Sequence, residues 1–276
     1  MEALQFLIYP FLACVILILI HAYFGIHILE RGVIFLDLSL AQFIAVGIAF
    51  AFFMGESTMS RYTYAAAFAV LGAFILSFSK QIARHVNIEA FIGVLYVSSF
   101  AVSILFLDRT AHGLEEFKSI LNGNILWLTP ADVLKASLLY AVVGGLHLLF
   151  WKKFMDLSYG NGKSFLWEFL FFLTFAFVLV SSVQIAGILQ VFSFLAIPAL
   201  IGRLYTKDPI RILLRGWGIG LGASMLGIFL SYKLDVPTAP LIVAFLSLIF
   251  FILLGSKAGL RNQKNQDSPG GKHDLP

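Results

Sequence analysis

SSVQIAGILQVFSFLAIPALIGRLYTKDPIRILLR, residues 181–215, changes character partway along. It is apolar and free of charge through Ile197 and Pro198, and it then carries Arg203, Lys207, Arg211 and Arg215. A helix needs about 20 apolar residues to cross the hydrocarbon of a bilayer. Short loops rich in Lys and Arg stay on the cytoplasmic side. The stretch therefore reads as a membrane helix that runs into the cytoplasm, with Pro198 ending its regular part. Beyond it lies a short basic segment built to touch another molecule.

The rest of the chain repeats the apolar part of this pattern. Of 276 residues, 60% are hydrophobic and only 12% are charged, and the mean hydropathy is +0.92. Soluble domains carry about 25% charged residues, so the composition defines a polytopic membrane protein. By length and apolarity the candidate spans number about nine: roughly residues 5–28, 33–54, 62–80, 88–107, 133–151, 165–182, 185–205, 213–232 and 239–256. A count of eight or ten changes only the side of the N-terminus. The patch Ser181-Ser182-Val183-Gln184 is all that separates the sixth span from the seventh. The runs are too long for barrel strands, and lipid demands internally satisfied backbones, so the fold is all-α. The first residues lack a positive n-region and a small-residue cleavage site, which predicts a retained first helix.

Charge sets the orientation. With the end after Lys257 inside, the inner loops hold Arg203, Lys207, Arg211 and Arg215; Lys152, Lys153 and Lys163; Lys80 and Arg84; and Arg31. The outer loops hold Arg61, Arg109, Lys118 and Lys233 among the acids Glu56, Asp108, Glu115, Glu116 and Asp235. This bias places the C-terminus in the cytoplasm and the N-terminus outside. The outer loop 108–132 contains Phe117, Ile120, Leu121, Ile125 and Trp127, which predict a short surface helix, and Asn122-Gly123-Asn124 as its turn. Thr129-Pro130-Ala131-Asp132 opens the next helix. Residues 258–276 are polar, contain Gly and Pro, and suit a disordered tail beyond a membrane domain of residues 1–257.

Several chemistries are absent from the sequence. No G-x-x-x-x-G-K-[ST], H-E-x-x-H or G-x-S-x-G motif occurs, which argues against an enzyme and against ATP hydrolysis by this chain alone. Cys14 is the single cysteine, so neither an intrachain disulfide nor a cysteine metal cluster is available. His21 and His27 fall on different faces of one helix and read as packing groups. Gly216 with Gly220, and Gly218 with Gly222, have the spacing of close helix contacts. Ionisable residues within a span are functional suspects, which singles out Asp37 and Gln42 in ERGVIFLDLSLAQ, residues 30–42. Asp37 equally suits the first turn of a helix, where a carboxylate meets the positive end of the dipole.

Four patches, in order, resemble the permease of the bacterial zinc, manganese and iron ABC importers, the ABC-3 family. They are GIHILERGVIFLDLSLAQ (25–42), EAFIGVLY (89–96), LNGNILWLTPAD (121–132) and VQIAGILQVFSFLAIPALIGRLY (183–205), completed by SYKLDVPTA (231–239). The resemblance implies a type II ABC importer-like permease bundle in the bacterial inner membrane, with two copies forming the path for a divalent metal ion by alternating access. It implies two ATP-binding subunits, which carry the ATP and Mg, and an external metal-binding protein; this chain itself binds no cofactor. It makes residues 199–214 the coupling segment that docks on the ATPase, with Ala199, Leu200, Arg203, Leu204, Tyr205, Lys207 and Arg211 as its contacts. Many relatives carry an Asp and a His four residues apart early in the second span. Here those positions are Leu38 and Gln42, with Asp37 one residue out of register. A pore metal site would then rest on Asp37 and Gln42, whose neutral carbonyl oxygen suits hard cations. The competing class is a gradient-driven transporter or channel without an ATPase.

Overall fold

The computed structural model describes residues 2–32, 35–55, 58–123, 125–160, 162 and 164–266. Every element among them is helical. In order they are α1 (Glu2–Glu30), α2 (Leu36–Phe53), α3 (Thr58–Ser77), α4 (Ser79–Ile82), α5 (Ile88–Leu107) and α6 (Gly113–Asn122). A 3-10 turn over Ile125–Trp127 follows, then α7 (Pro130–Leu149), α8 (Trp151–Tyr159), α9 (Phe165–Tyr205), α10 (Pro209–Leu234) and α11 (Thr238–Gln266). The helices begin where side chains satisfy their free N–H groups. Asn87 accepts from Ala90 N at 3.0 Å, and Asp208 accepts from Arg211 N at 2.8 Å ahead of Pro209. Thr129 and Asp132 form a reciprocal cap with Pro130 in the first turn, as the sequence predicts.

Seven of these helices are long and apolar enough to cross a membrane. One of them, α9, is 41 residues long, about 60 Å if straight and twice what a bilayer needs. It is not straight. Near its start Glu168 meets Arg31, Phe171 meets His27, and Phe175 meets Phe24, so this limb runs antiparallel to α1. Near its end Gln190 meets Cys14, Leu195 lies against Gly25, and Arg203 meets Glu30, so this limb runs parallel to α1. The chain reverses at Gly187, whose φ of 74° and ψ of 165° are open to glycine. Counting α9 twice and adding α3, which packs between α2 and α9, the described residues traverse the bundle nine times.

The reversal falls at Gly187, just beyond the Ser-Ser-Val-Gln patch that marks the boundary in the sequence. Those serines are instead bonded across the bundle: Tyr140 Oη lies 2.7 Å from Ser182 Oγ and donates to Ser181 Oγ at 3.3 Å. Nor does Pro198 end a span. It sits inside α9, which continues to Tyr205, because a proline within a packed membrane bundle is tolerated. The helix α11 likewise runs past Lys257 to Gln266, where the sequence suggests a disordered tail. Residues 267–276, Glu56, Asn124 and Lys163 lie outside the described residues, as do the side chains of Arg261 and Lys264.

Lipid offers no hydrophobic drive for helix association, so close packing holds such a bundle together. The helix α2 is its centre, buried at almost every position between α3, α5 and α9. A Cβ on Gly216 would lie 3.0 Å from Pro198 O, and one on Gly220 would lie 3.0 Å from Ile18 Cγ2. The Gly218 and Gly222 pair has open space at that distance and does not pack.

Candidate functional site

The ends of the helices collect the charge. At one end Arg31 Nη1 donates to Glu168 Oε2 at 2.7 Å, and Lys80 Nζ pairs with the other Glu168 oxygen. Glu168 is 4% exposed at its side chain and Arg31 9%, so both charges are buried and each depends on the other. Arg31 Nε also donates to Ser158 Oγ at 3.0 Å, and His27 Nδ1 lies 2.9 Å from the same hydroxyl. The Arg31 guanidinium stacks 4.3 Å from the centre of the Phe171 ring. Burial pushes the Tyr159 hydroxyl up to about 12, with the nearby Glu30 carboxylate adding to it, so it stays protonated and donates to Ile26 O at 3.2 Å. These contacts tie α1, α8, the start of α9 and the turn after α3 into one unit. Glu168 stands in an apolar run, and an acid there is itself a signal that the sequence reading passed over.

The segment 199–214 lies at this same end and is a helical hairpin tip. It comprises the last turns of α9, the turn Thr206-Lys207-Asp208 and the start of α10. Its residues divide by exposure. Ala199 is buried against Ile26 and Ile212, and Leu200 and Leu204 are half-buried, so these three face the bundle. Tyr205, Lys207, Ile210, Arg211 and Leu214 are exposed. Arg203 is exposed too, yet it tethers the tip: its Nη1 pairs with Glu30 at 3.0 Å and donates to Leu29 O at 3.2 Å. Lys257 Nζ donates to Leu204 O, tying α11 to the same place. The exposed surface is cationic and apolar at once.

Asp37 and Gln42 occupy the first two turns of α2 and are each 2% exposed. Asp37 Oδ1, Gln42 Oε1 and the hydroxyl of the intervening Ser39 have no hydrogen-bond partner. Unpaired buried oxygens in a bundle interior are costly, but at 100° per residue Asp37 lies about 140° around α2 from Gln42 and about 160° from Ser39, so the three do not share one face. Ser39 is a third such buried group, although nothing in the residue type alone marks it out. No three His, Cys, Asp or Glu side chains among the described residues come together as a metal site within one chain. His21 and His27 part company: His21 Nδ1 bonds to Leu17 O at 2.8 Å, whereas His27 faces Ser158.

At the opposite end, α6 and the 3-10 turn form the short helical loop expected there, with Ile120 and Ile125 buried and Trp127 exposed. The loop seats on the α9 reversal. Gly123, at φ 62°, lies against Ala186 and Gly187 so closely that a Cβ on either glycine would overlap backbone.

The sequence signature of the ABC 3 transport family matches residues 3–256. The chain belongs to this family and is a multi-pass membrane transport protein. It is 28% identical over 253 residues to the manganese transport system membrane protein of Listeria monocytogenes, with 88% of each chain covered. It is 26% identical over 257 residues to a probable iron transport system membrane protein of Haemophilus influenzae, again with 88% of each covered. The fold is that of a chain in the Streptococcus pneumoniae PsaBC assembly solved with a Fab, at a TM-score of 0.75, 22% identity, and coverage of 91% of this chain and 93% of that one.

Proposed function

We propose that this chain is the membrane-spanning permease subunit of an ATP-driven importer for a divalent metal ion: manganese, iron or zinc. Two copies form the path, two ATP-binding subunits sit on the cytoplasmic face, and an external binding protein delivers the metal. The observation that carries this reading is the hairpin tip of α9 and α10. In a member of the ABC 3 transport family, a cationic and apolar surface stands clear of the bundle there. Manganese and iron come from the names of the relatives; zinc comes from the family resemblance. The basic end, with Arg31, Lys80, Arg203, Lys207 and Arg211, is cytoplasmic on this reading, and so is the C-terminus.

The geometry suggests how a push from the ATPase travels. The tip is fastened to α1 through Arg203 and Glu30 and to α11 through Lys257. The first limb of α9 is fastened to α1 and α4 through Arg31, Glu168 and Lys80. When nucleotide binding closes the ATPase dimer, displacement of the tip moves both limbs of α9 together with α1, and the path between copies switches sides. The buried oxygens of Asp37, Ser39 and Gln42 are candidate hard ligands inside the bundle. ATP and Mg belong to the partner subunit.

Co-expression with a candidate ATP-binding subunit tests this reading. The two should co-purify, and Ile210→Glu with Leu214→Glu should abolish co-purification while the permease still elutes as a monodisperse species. A wild-type chain that moves substrate on an ion gradient without any ATPase overturns it.

A further inference from the structure

The helices α7 and α10 both pack on α1 and splay apart over it, leaving a groove of about 360 Å³. Its walls include Ile16, Leu19 and Ile20 from α1, Leu148 from α7, and Leu213 and Trp217 from α10. Gly144 lines it too, and a Cβ there would meet nothing within 4 Å, so the missing side chain is part of the groove's width. Tyr23, His147 and Tyr140 lie along the floor, yet they offer no free polar group. Tyr23 Oη bonds to His147 Nδ1 at 2.9 Å, His147 Nε2 to Thr174 Oγ1 at 2.8 Å, and Tyr140 Oη to Ser182 Oγ at 2.7 Å. Apart from the Ser137 hydroxyl, what remains is a carbon surface, which takes hydrocarbon rather than an ion or a polar solute.

The groove runs toward the basic end of the bundle. Leu213 lies early in α10, and Trp151 closes the groove just after α7 ends. Trp151, just beyond the end of α7, has the position of an aromatic side chain at a membrane interface. Lys152 and Lys153 follow directly and are exposed. The nearest acid on α8, Asp156, turns its carboxylate over Gly160 and Gly162 instead. An apolar slot whose Trp151 end is followed on α8 by two exposed lysines is the complement of an anionic amphiphile, and anionic headgroups bind basic sites of this kind on the cytoplasmic side. We propose that the groove binds one acyl chain of an anionic phospholipid from the leaflet at the basic end, with its phosphate held by Lys152 and Lys153. The proposal rests on the chain's embedding in a membrane and stands apart from the metal and ATPase reading.

The full chain, reconstituted in phosphatidylcholine bilayers with rising fractions of dibrominated phosphatidylglycerol or dibrominated phosphatidylcholine, tests it. The signal is the tryptophan quenching removed by Trp151→Phe. Half-maximal quenching is expected at a mole fraction on the order of tenfold lower for the brominated phosphatidylglycerol. Lys152→Gln with Lys153→Gln should erase that difference, and Gly144→Leu, which fills open space, should suppress quenching by both lipids. Equal curves for the two lipids on the wild type, or unchanged quenching in the Gly144→Leu chain, overturn the proposal. So does a groove that neither lipid quenches and that cross-links between two copies through Gly144→Cys.

Discussion

Glu168 is the residue on which the basic end depends. It is the acid partner of both the buried Arg31 and the more exposed Lys80. Removing one member of a buried ion pair costs about 3–5 kcal/mol, whereas an exposed one contributes about 0–1. Glu168→Gln should therefore lower the thermal unfolding midpoint in detergent far more than Lys80→Met does; equal shifts would mean that Arg31 finds another partner. On α2, Asp37→Asn and Gln42→Ala are each expected to reduce metal uptake several-fold at unchanged expression. Full uptake in both would make them packing groups at a helix start. Asp37 and Gln42 were legible because polar side chains stand out in an apolar span. Ser39 was not, since a serine inside a membrane helix normally bonds back to its own turn, and only the packed bundle shows its hydroxyl unpaired.

At the scale of elements, the α9 hairpin turns on a single residue. Gly187→Ala places a Cβ in the left-handed region and against the backbone of Gly123 and Asn122. Folded yield should collapse in a fluorescence size-exclusion assay. Gly218→Ala, with open space around it, should leave yield unchanged or slightly raised. Similar yields for the two variants would mean that the reversal does not need glycine. The apolar runs predicted nearly every span, since length and hydropathy are written locally in the chain. The reversal was displaced to the Ser-Ser patch because polar residues look like a loop, although here Tyr140 satisfies them inside the bundle. Pro198 looked like a terminator for a similar reason: its effect on a helix is decided by neighbours that the sequence does not show. The same holds for residues 199–214, where Ala199 is turned inward against Ile26 and the exposed surface narrows to the tip.

For the whole molecule, the positive-residue count and the contacts agree on one arrangement. Arg31, Lys80, Arg203 and Lys257 gather at one end, and the loop of α6 and the Ser231–Thr238 turn lie at the ends of the helices that point away from it. Nine traverses put the two termini of the bundle on opposite sides, as the charge bias predicts. The cargo was the least legible part, because the positions where the resemblance expects a ligand pair hold Leu38 and Gln42, and no three His, Cys, Asp or Glu side chains meet among the described residues. The most direct test of the account is radiolabelled manganese uptake into proteoliposomes holding this permease, its ATPase and its binding protein, with ATP inside or outside. Uptake should require all three proteins and ATP on the side of the basic end. Uptake by the permease alone, driven by an ion gradient and indifferent to ATP, would contradict it.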